Sequence, residues 1–310
     1  MSYRDRLPQL DADVFLTDGG IETVLIFHEG LELPAFAAFT LLDDGIETLR
    51  RYYEPYARLA REHGVGFVAE APTWRASPRW AAELGYSLAE LDALNRRAIA
   101  LMGELRRDDG PPVVISGCVG PCDDGYDPAE RLSAEAAEAY HAIQVGTFAD
   151  TEADMVTAIT MTYAEEAIGV ARAAARHGLP AVISFTVETD GRLPSGQPLG
   201  EAIAQVDAAC GDAVAYYMVN CAHPTHFDSV LAGPWLERVR GVRANASARS
   251  HAELDEATEL DAGDPDDLAA RYADLAERLP RLTVLGGCCG TDHRHIAAIA
   301  GACLSVARPA

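Results

Sequence analysis

No apolar run in this sequence reaches membrane-spanning length. The longest near the C-terminus, Ile296 to Ala307, falls far short of the ~20 residues needed to cross a bilayer. The opening MSYRDRLPQLDADVF is too polar for the apolar core of a secretory signal, so the chain is expected to be soluble and cytoplasmic, without membrane association. Positive charge is also scarce: 25 basic against 48 acidic residues give a formal net charge of −23. Binding to phosphate backbones or anionic lipid is driven by clusters of basic side chains, so nucleic acid is not an expected partner. Linkers, composition breaks and the paired Cys-x2-Cys spacings of structural zinc modules are missing as well. What is there is an ordinary globular composition, 49% hydrophobic and 24% charged over 310 residues, ample for a sizeable core. Seven cysteines in a reducing compartment do not make a disulfide framework, so some are expected to be ligands, nucleophiles or small core residues.

Short β-rich runs recur along the chain, at Val14–Asp18, Gly66–Glu70, Val113–Gly117, Asp154–Ile159, Ala181–Thr186, Val214–Val219, Val239–Ala244 and Leu282–Gly286. Between them apolar residues take helical spacing, as at Leu49, Tyr52, Tyr53, Tyr56, Leu59 and Ala60. Two such helices end at His63-Gly64 and His177-Gly178, where glycine permits the left-handed closing residue. Eight strand-then-helix units favour one α/β domain over residues 1–310, a single (β/α)8 TIM barrel, over a doubly wound sheet. In that fold chemistry sits on the loops after the strands. Those loops carry Asp18-Gly19-Gly20, Thr73-Trp74, Cys118 to Cys122, Glu188, Asn220-Cys221, Asn245 and Ser247, and Gly286-Gly287-Cys288-Cys289-Gly290-Thr291.

The last segment carries the most information. Neighbouring side chains on a strand point to opposite faces, so Cys288 and Cys289 reach one metal only where the backbone turns sharply, which the flanking glycines permit. A third thiolate is available in Cys221, at the end of the sixth strand. Three thiolates leave one tetrahedral position open on Zn²⁺, the arrangement of a catalytic zinc with an exchangeable ligand. The alternative is a Gly-Cys-Cys-Gly turn that only packs, since cysteine is among the most buried residue types. Cys210 and Cys303 read as core residues in helices.

The same residues carry a resemblance. The chain is similar to the homocysteine S-methyltransferase family, which includes the betaine- and S-methylmethionine-dependent enzymes and the homocysteine-binding module of cobalamin-dependent methionine synthase. The matching segments are Leu16-Thr17-Asp18-Gly19-Gly20, Thr73-Trp74-Arg75-Ala76-Ser77, Ser116 to Pro121, Ile183 to Thr186, Val219-Asn220-Cys221 and Gly286 to Thr291. The resemblance implies a (β/α)8 barrel with zinc as cofactor, held by Cys221, Cys288 and Cys289, which act in catalysis through the metal. It also implies two small-molecule partners, a thiol acceptor and a methyl donor. Coordination to Zn²⁺ deprotonates a thiol whose free pKa is near 8.5, readying it to attack an activated methyl group.

Asp18 matches the family position that helps bind the homocysteine amino group, with the Gly19 and Gly20 backbone amides close to the homocysteine carboxylate. Thr73, Trp74, Glu70 and Asn220 complete the expected substrate site. Trp74, Trp80, Tyr126 and Glu70 are candidates for a wall around a cationic donor; packing is the preferred reading for Trp80 and Tyr126. With neither room for folate or cobalamin modules nor the long C-terminal extension of the betaine enzymes, the expected donor is S-methylmethionine or S-adenosylmethionine. One departure stands out: where the family ends its fourth strand in a Glu that binds the substrate ammonium, this chain has Ile159. Either another acid replaces it, Glu22, Glu70 or Glu188, or the acceptor is a thiol or selenol without the amino group. Two other classes remain open: a metal-dependent hydrolase using His223, His226, His293, His295 and Asp292, and a non-catalytic zinc or thiol sensor. His293 and His295 are read as surface or capping groups.

Overall fold

The computed structural model describes residues 2–11, 13–125, 131–257 and 259–306. Eight parallel strands, β1 Phe15–Leu16, β2 Gly66–Glu70, β3 Val113–Val119, β4 Met155–Met161, β5 Ala181–Phe185, β6 Val214–Asn220, β7 Val239–Ala244 and β8 Val284–Gly287, close into a barrel in sequence order. The strands are followed in turn by α1 Ile46–His63, α2 Leu88–Gly103, α3 Ala134–Ala149, α4 Ala164–Arg176, α5 Leu199–Cys210, α6 Pro224–Phe227, α7 Pro265–Arg278 and α8 His293–Val306. This is the (β/α)8 TIM barrel that the alternation of runs implies. Gly64 and Gly178, with φ of 66° and 69°, close the chain after α1 and α4 as expected.

Strand ends differ by a few residues. β1 is shorter than its apolar run because Asp18-Gly19-Gly20 turns away from the ladder, although the Thr17 N–H still donates to Leu285 O. β4 starts after Asp154, whose carboxylate instead accepts from the Tyr3 and Ile115 N–H groups and pairs with Arg106 at 2.5 Å. That carboxylate ties the N-terminal segment to the base of the barrel.

Side chains alternate along a strand, so every second residue faces inward. At the base the inward residues are apolar: Phe15, Val68, Val114, Met155, Val182 and Met218 form one buried cluster with Leu7 of the N-terminal segment. Two positions further along, the same strands place Thr17, Glu70, Ser116, Thr157, Ser184 and Asn220 inward, with Arg243 on β7, all of them buried. A polar tier therefore rests directly on an apolar one. Of the two cysteines expected in the core, Cys303 on α8 is buried, whereas Cys210 at the end of α5 is only half-buried. No described helix is long and apolar enough to cross a membrane.

Candidate active site

The thiols converge above the polar tier. Cys221 follows β6 and Cys288-Cys289 follows β8, and the Cys221 Sγ lies 2.8 Å from that of Cys288 and 3.5 Å from that of Cys289. Gly290, with φ of 80°, makes the turn after the pair. Cys221 itself has φ of 53°, an uncommon and costly conformation for a residue with a side chain, so its surroundings must hold it. They do: its carbonyl accepts from Asn245 Nδ2 at 3.0 Å and His251 Nε2 at 2.5 Å, and its N–H donates to Arg243 O at 3.1 Å. The loop after β1 clamps the other pair. A Cβ on Gly20 would meet Cys288 O at 2.5 Å, so only glycine allows this approach. The Gly20 N–H donates to Thr291, and the Gly290 N–H to Thr23 Oγ1.

The three thiols suit a zinc ion. All three sulfurs lie within 4.8 Å of one another, and tetrahedral bonds of about 2.3 Å put sulfurs about 3.8 Å apart. Cys221 and Cys289 are near that spacing and Cys221 and Cys288 are closer. Donation from the Cys221 and Cys289 thiols holds Cys288 well below the ordinary thiol range, with Arg243 adding to the effect, while Cys289 is pushed up as the donor. Among the described residues, this is the one group of three or more His, Cys, Asp and Glu side chains placed to share a metal.

Beneath the thiols lies a buried charge network. Arg243 Nη2 is 2.8 Å from Asp18 Oδ1, its Nε donates to Gly287 O at 3.1 Å, and Tyr52 OH donates to Asp18 Oδ2 at 2.8 Å. Burial raises the Asp18 pKa even against Arg243 and Tyr52, and pushes Glu70 up to about 7. Sequence reasoning passed over Arg243, His251 and Tyr52. Arg243 had a usable signal, a charged residue at an inward position of an otherwise apolar strand end; the other two join the site only through tertiary contacts.

Several expected substrate residues already have internal partners. Thr73 is fully buried and its hydroxyl donates to Cys118 O at 2.7 Å. Asn220 accepts from the Thr160 N–H at 2.9 Å and from Ser184 Oγ at 2.6 Å, which secures Thr160 in a left-handed conformation with φ of 66°. The register between β4 and β5 shifts there, between Ala158 and Met161, a bulge of the kind that re-aims side chains. Half-buried Trp74 donates from Nε1 to Ile159 O at 3.2 Å, so it lies across the end of β4. Trp80 stacks under the Arg75 guanidinium at 3.9 Å, in keeping with packing; Tyr126 lies outside the described residues. Glu188 is engaged by His251 Nδ1 at 3.2 Å. The histidines of the hydrolase reading do not gather: His223 caps α6, and His226 donates to Ala248 O. His295 is a capping group as expected, accepting the Asp292 N–H, but it is fully buried rather than at the surface.

Comparison with protein families decides where the chain belongs. The family model for homocysteine S-methyltransferase matches residues 15–303. The chain belongs to the homocysteine S-methyltransferase family. It is a methyltransferase. Among solved structures, it is similar to the homocysteine methyltransferase MmuM from Escherichia coli. The oxidized form has a TM-score of 0.76 at 22% identity, covering 95% of this chain and 99% of that one. The metallated form has a TM-score of 0.71 at 22% identity, covering 94% and 96%. At this identity the likeness supports the fold. A comparison with curated protein sequences finds no significant match.

Proposed function

We propose that this family member is a zinc-dependent S-methyltransferase that moves a methyl group from a sulfonium donor, S-methylmethionine or S-adenosylmethionine, to homocysteine or a closely related thiol. The observation that carries this reading is the convergence of Cys221, Cys288 and Cys289 from two strand ends at the mouth of the barrel. Cys221, Cys288 and Cys289 would hold a zinc ion, which would supply a Lewis acid that lowers the pKa of an acceptor thiol. In the transfer, a new S–CH3 bond forms as the donor's sulfonium–CH3 bond breaks. The bonding pair stays on the donor sulfur, which leaves as a neutral thioether, and the acceptor has lost its proton.

The chain's own residues set the geometry. His251 and Asn245 keep Cys221 turned toward the other two thiols. The clamp between Gly20, Thr23, Gly290 and Thr291 fixes the Asp18 loop against the cysteine turn. Trp74 is laid across the end of β4 and already carries the Arg75 guanidinium 5.0 Å from its ring, so a cationic donor would use its other face. The test pairs elemental analysis with a mass-spectrometric transfer assay on the purified protein and on Cys221→Ala. About one zinc per chain and methylation of homocysteine are expected, with both lost in the variant. Zinc retained without methylation of any thiol would favour a sensor and defeat the proposal.

A further inference from the structure

A barrel closed in sequence order sets β2 across the mouth from β6, and β4 across from β8. The thiols follow β6 and β8, so a methyl donor reaches an acceptor sulfur lodged against them from the far side, past the loops after β2, β3 and β4. One dipeptide, Trp74-Arg75, ties that side together. The Trp74 carbonyl accepts from the Gly120 N–H after β3 at 2.9 Å, and its indole Nε1 donates to Ile159 O at the end of β4 at 3.2 Å. A Cβ on Gly120 would meet the Trp74 carbonyl at 2.3 Å, and one on Gly125 would lie 3.2 Å from the indole. The β3 loop therefore comes against Trp74 at two residues that carry no side chain, and the indole stays partly exposed.

Arg75 fixes the indole from another direction. Its guanidinium carbon lies 5.0 Å from the Trp74 ring centre and 3.9 Å from that of Trp80, so one cation serves two indoles. The loops on either side hold this guanidinium in turn. Nη1 donates to Ala35 O at 2.6 Å, and the Asp124 carboxylate lies 3.7 Å from Nη2. Ala35 and Phe36 both have φ of 52°, an uncommon and costly conformation for residues with side chains, in a bend that the Arg75 contact helps hold. With 11% of its side chain exposed, Arg75 is committed to this wall. Asp124 also offsets its charge, which matters because a bare guanidinium on one face of a ring would weaken the pull of the other face on a second cation.

We propose that Arg75 is a positioning residue for methyl transfer: it holds the Trp74 indole in the orientation that receives the cationic centre of the methyl donor. The assignment rests on the methyltransferase reading above and deepens it on the donor side. Its action runs through Trp74, and it requires a planar cation. Lysine keeps the charge but cannot lie flat against two rings while donating to Ala35 O.

The test uses the zinc-loaded protein with homocysteine and S-methylmethionine, and the variants Arg75→Met, Arg75→Lys, Trp74→Leu and Arg75→Met with Trp74→Leu. Arg75→Met should raise the donor KM on the order of tenfold and change kcat by less than about threefold. Zinc content and the calorimetric affinity for homocysteine should stay within about twofold, and Arg75→Lys should behave like Arg75→Met. Trp74→Leu should raise the donor KM at least as much, and adding Arg75→Met to it should change that value by less than about twofold, because the two residues act as one unit. An unchanged donor KM in Arg75→Met, a lysine variant equal to the wild type, or additive effects in the double variant overturns the assignment. So does a parallel loss of zinc, thiol affinity and donor affinity, which marks Arg75 as a structural support alone. A wild type that methylates no thiol from S-methylmethionine or S-adenosylmethionine overturns the sulfonium-dependent reading itself, and this assignment with it.

Discussion

The two ends of the barrel interior are built by the same strands and do opposite things. At the base, Val68, Val114, Met155, Val182 and Met218 close on Leu7 with no charge among them. Two positions along, the inward residues become Glu70, Ser116, Thr157, Ser184 and Asn220, and the cysteines lie just above. The base stabilises by burial of apolar surface, about 25 cal/mol per Å². The mouth instead confines Asp18 and Glu70 with the single guanidinium of Arg243, an arrangement that contributes little stability and leaves carboxylates with raised pKa values. Stability and chemistry are thus separated along the strand direction by one pleat repeat.

The largest effect short of removing a thiol is expected from Arg243→Met, which strips the cation from the mouth. Stability measured in urea should fall by roughly 3–5 kcal/mol at neutral pH, because Asp18 and Glu70 are left buried without it. The deficit should shrink in acid, where both carboxyls are protonated and need no partner. A loss below about 1 kcal/mol would mean the mouth is wetter than the base and would break the contrast.

Glu70→Gln sharpens the comparison from the other side. Glu70 is raised from the ordinary 4.5 to about 7, so between those pH values the folded state keeps a proton that the unfolded chain has released. Stability of the wild type therefore declines as pH rises through that window, and glutamine removes this slope. At pH 8 the variant should be more stable by roughly 3 kcal/mol, read as the difference between urea midpoints at pH 4 and pH 8. Identical pH profiles for the two proteins would show that Glu70 is ionised without penalty. The smallest change is expected at the base: Val182→Ala should cost roughly 2 kcal/mol and leave zinc content and methyl transfer unaltered. A matching drop in zinc affinity would show the two ends to be coupled.

The barrel and the thiol cluster were legible in the sequence because both are written locally. Short β-rich runs mark strands, His63-Gly64 and His177-Gly178 mark helix ends, and a Gly-Gly-Cys-Cys-Gly-Thr turn brings two sulfurs together within one loop. Cys221 could be paired with that turn because strand order in a barrel follows chain order. Thr73 and Asn220 illustrate the limit. Their residue types suit substrate contacts, but closure of the barrel engages Thr73 with Cys118 and Asn220 with Thr160 and Ser184. The Gly20 amide is likewise taken up by Thr291.

By itself, then, the sequence determined the fold class, the positions of the strands to within a few residues, and the three sulfurs, since these depend on spacing and turn chemistry over short stretches. Tertiary structure alone decided how the charges are shared. Asp18 and Arg243 are far apart in the chain and meet only when β1, β8 and β7 lie side by side, and His251 finds Cys221 only across a loop. How the buried carboxylates are held follows from those pairings: Coulomb interaction depends on distance in space, and a closed barrel sets that distance independently of sequence order.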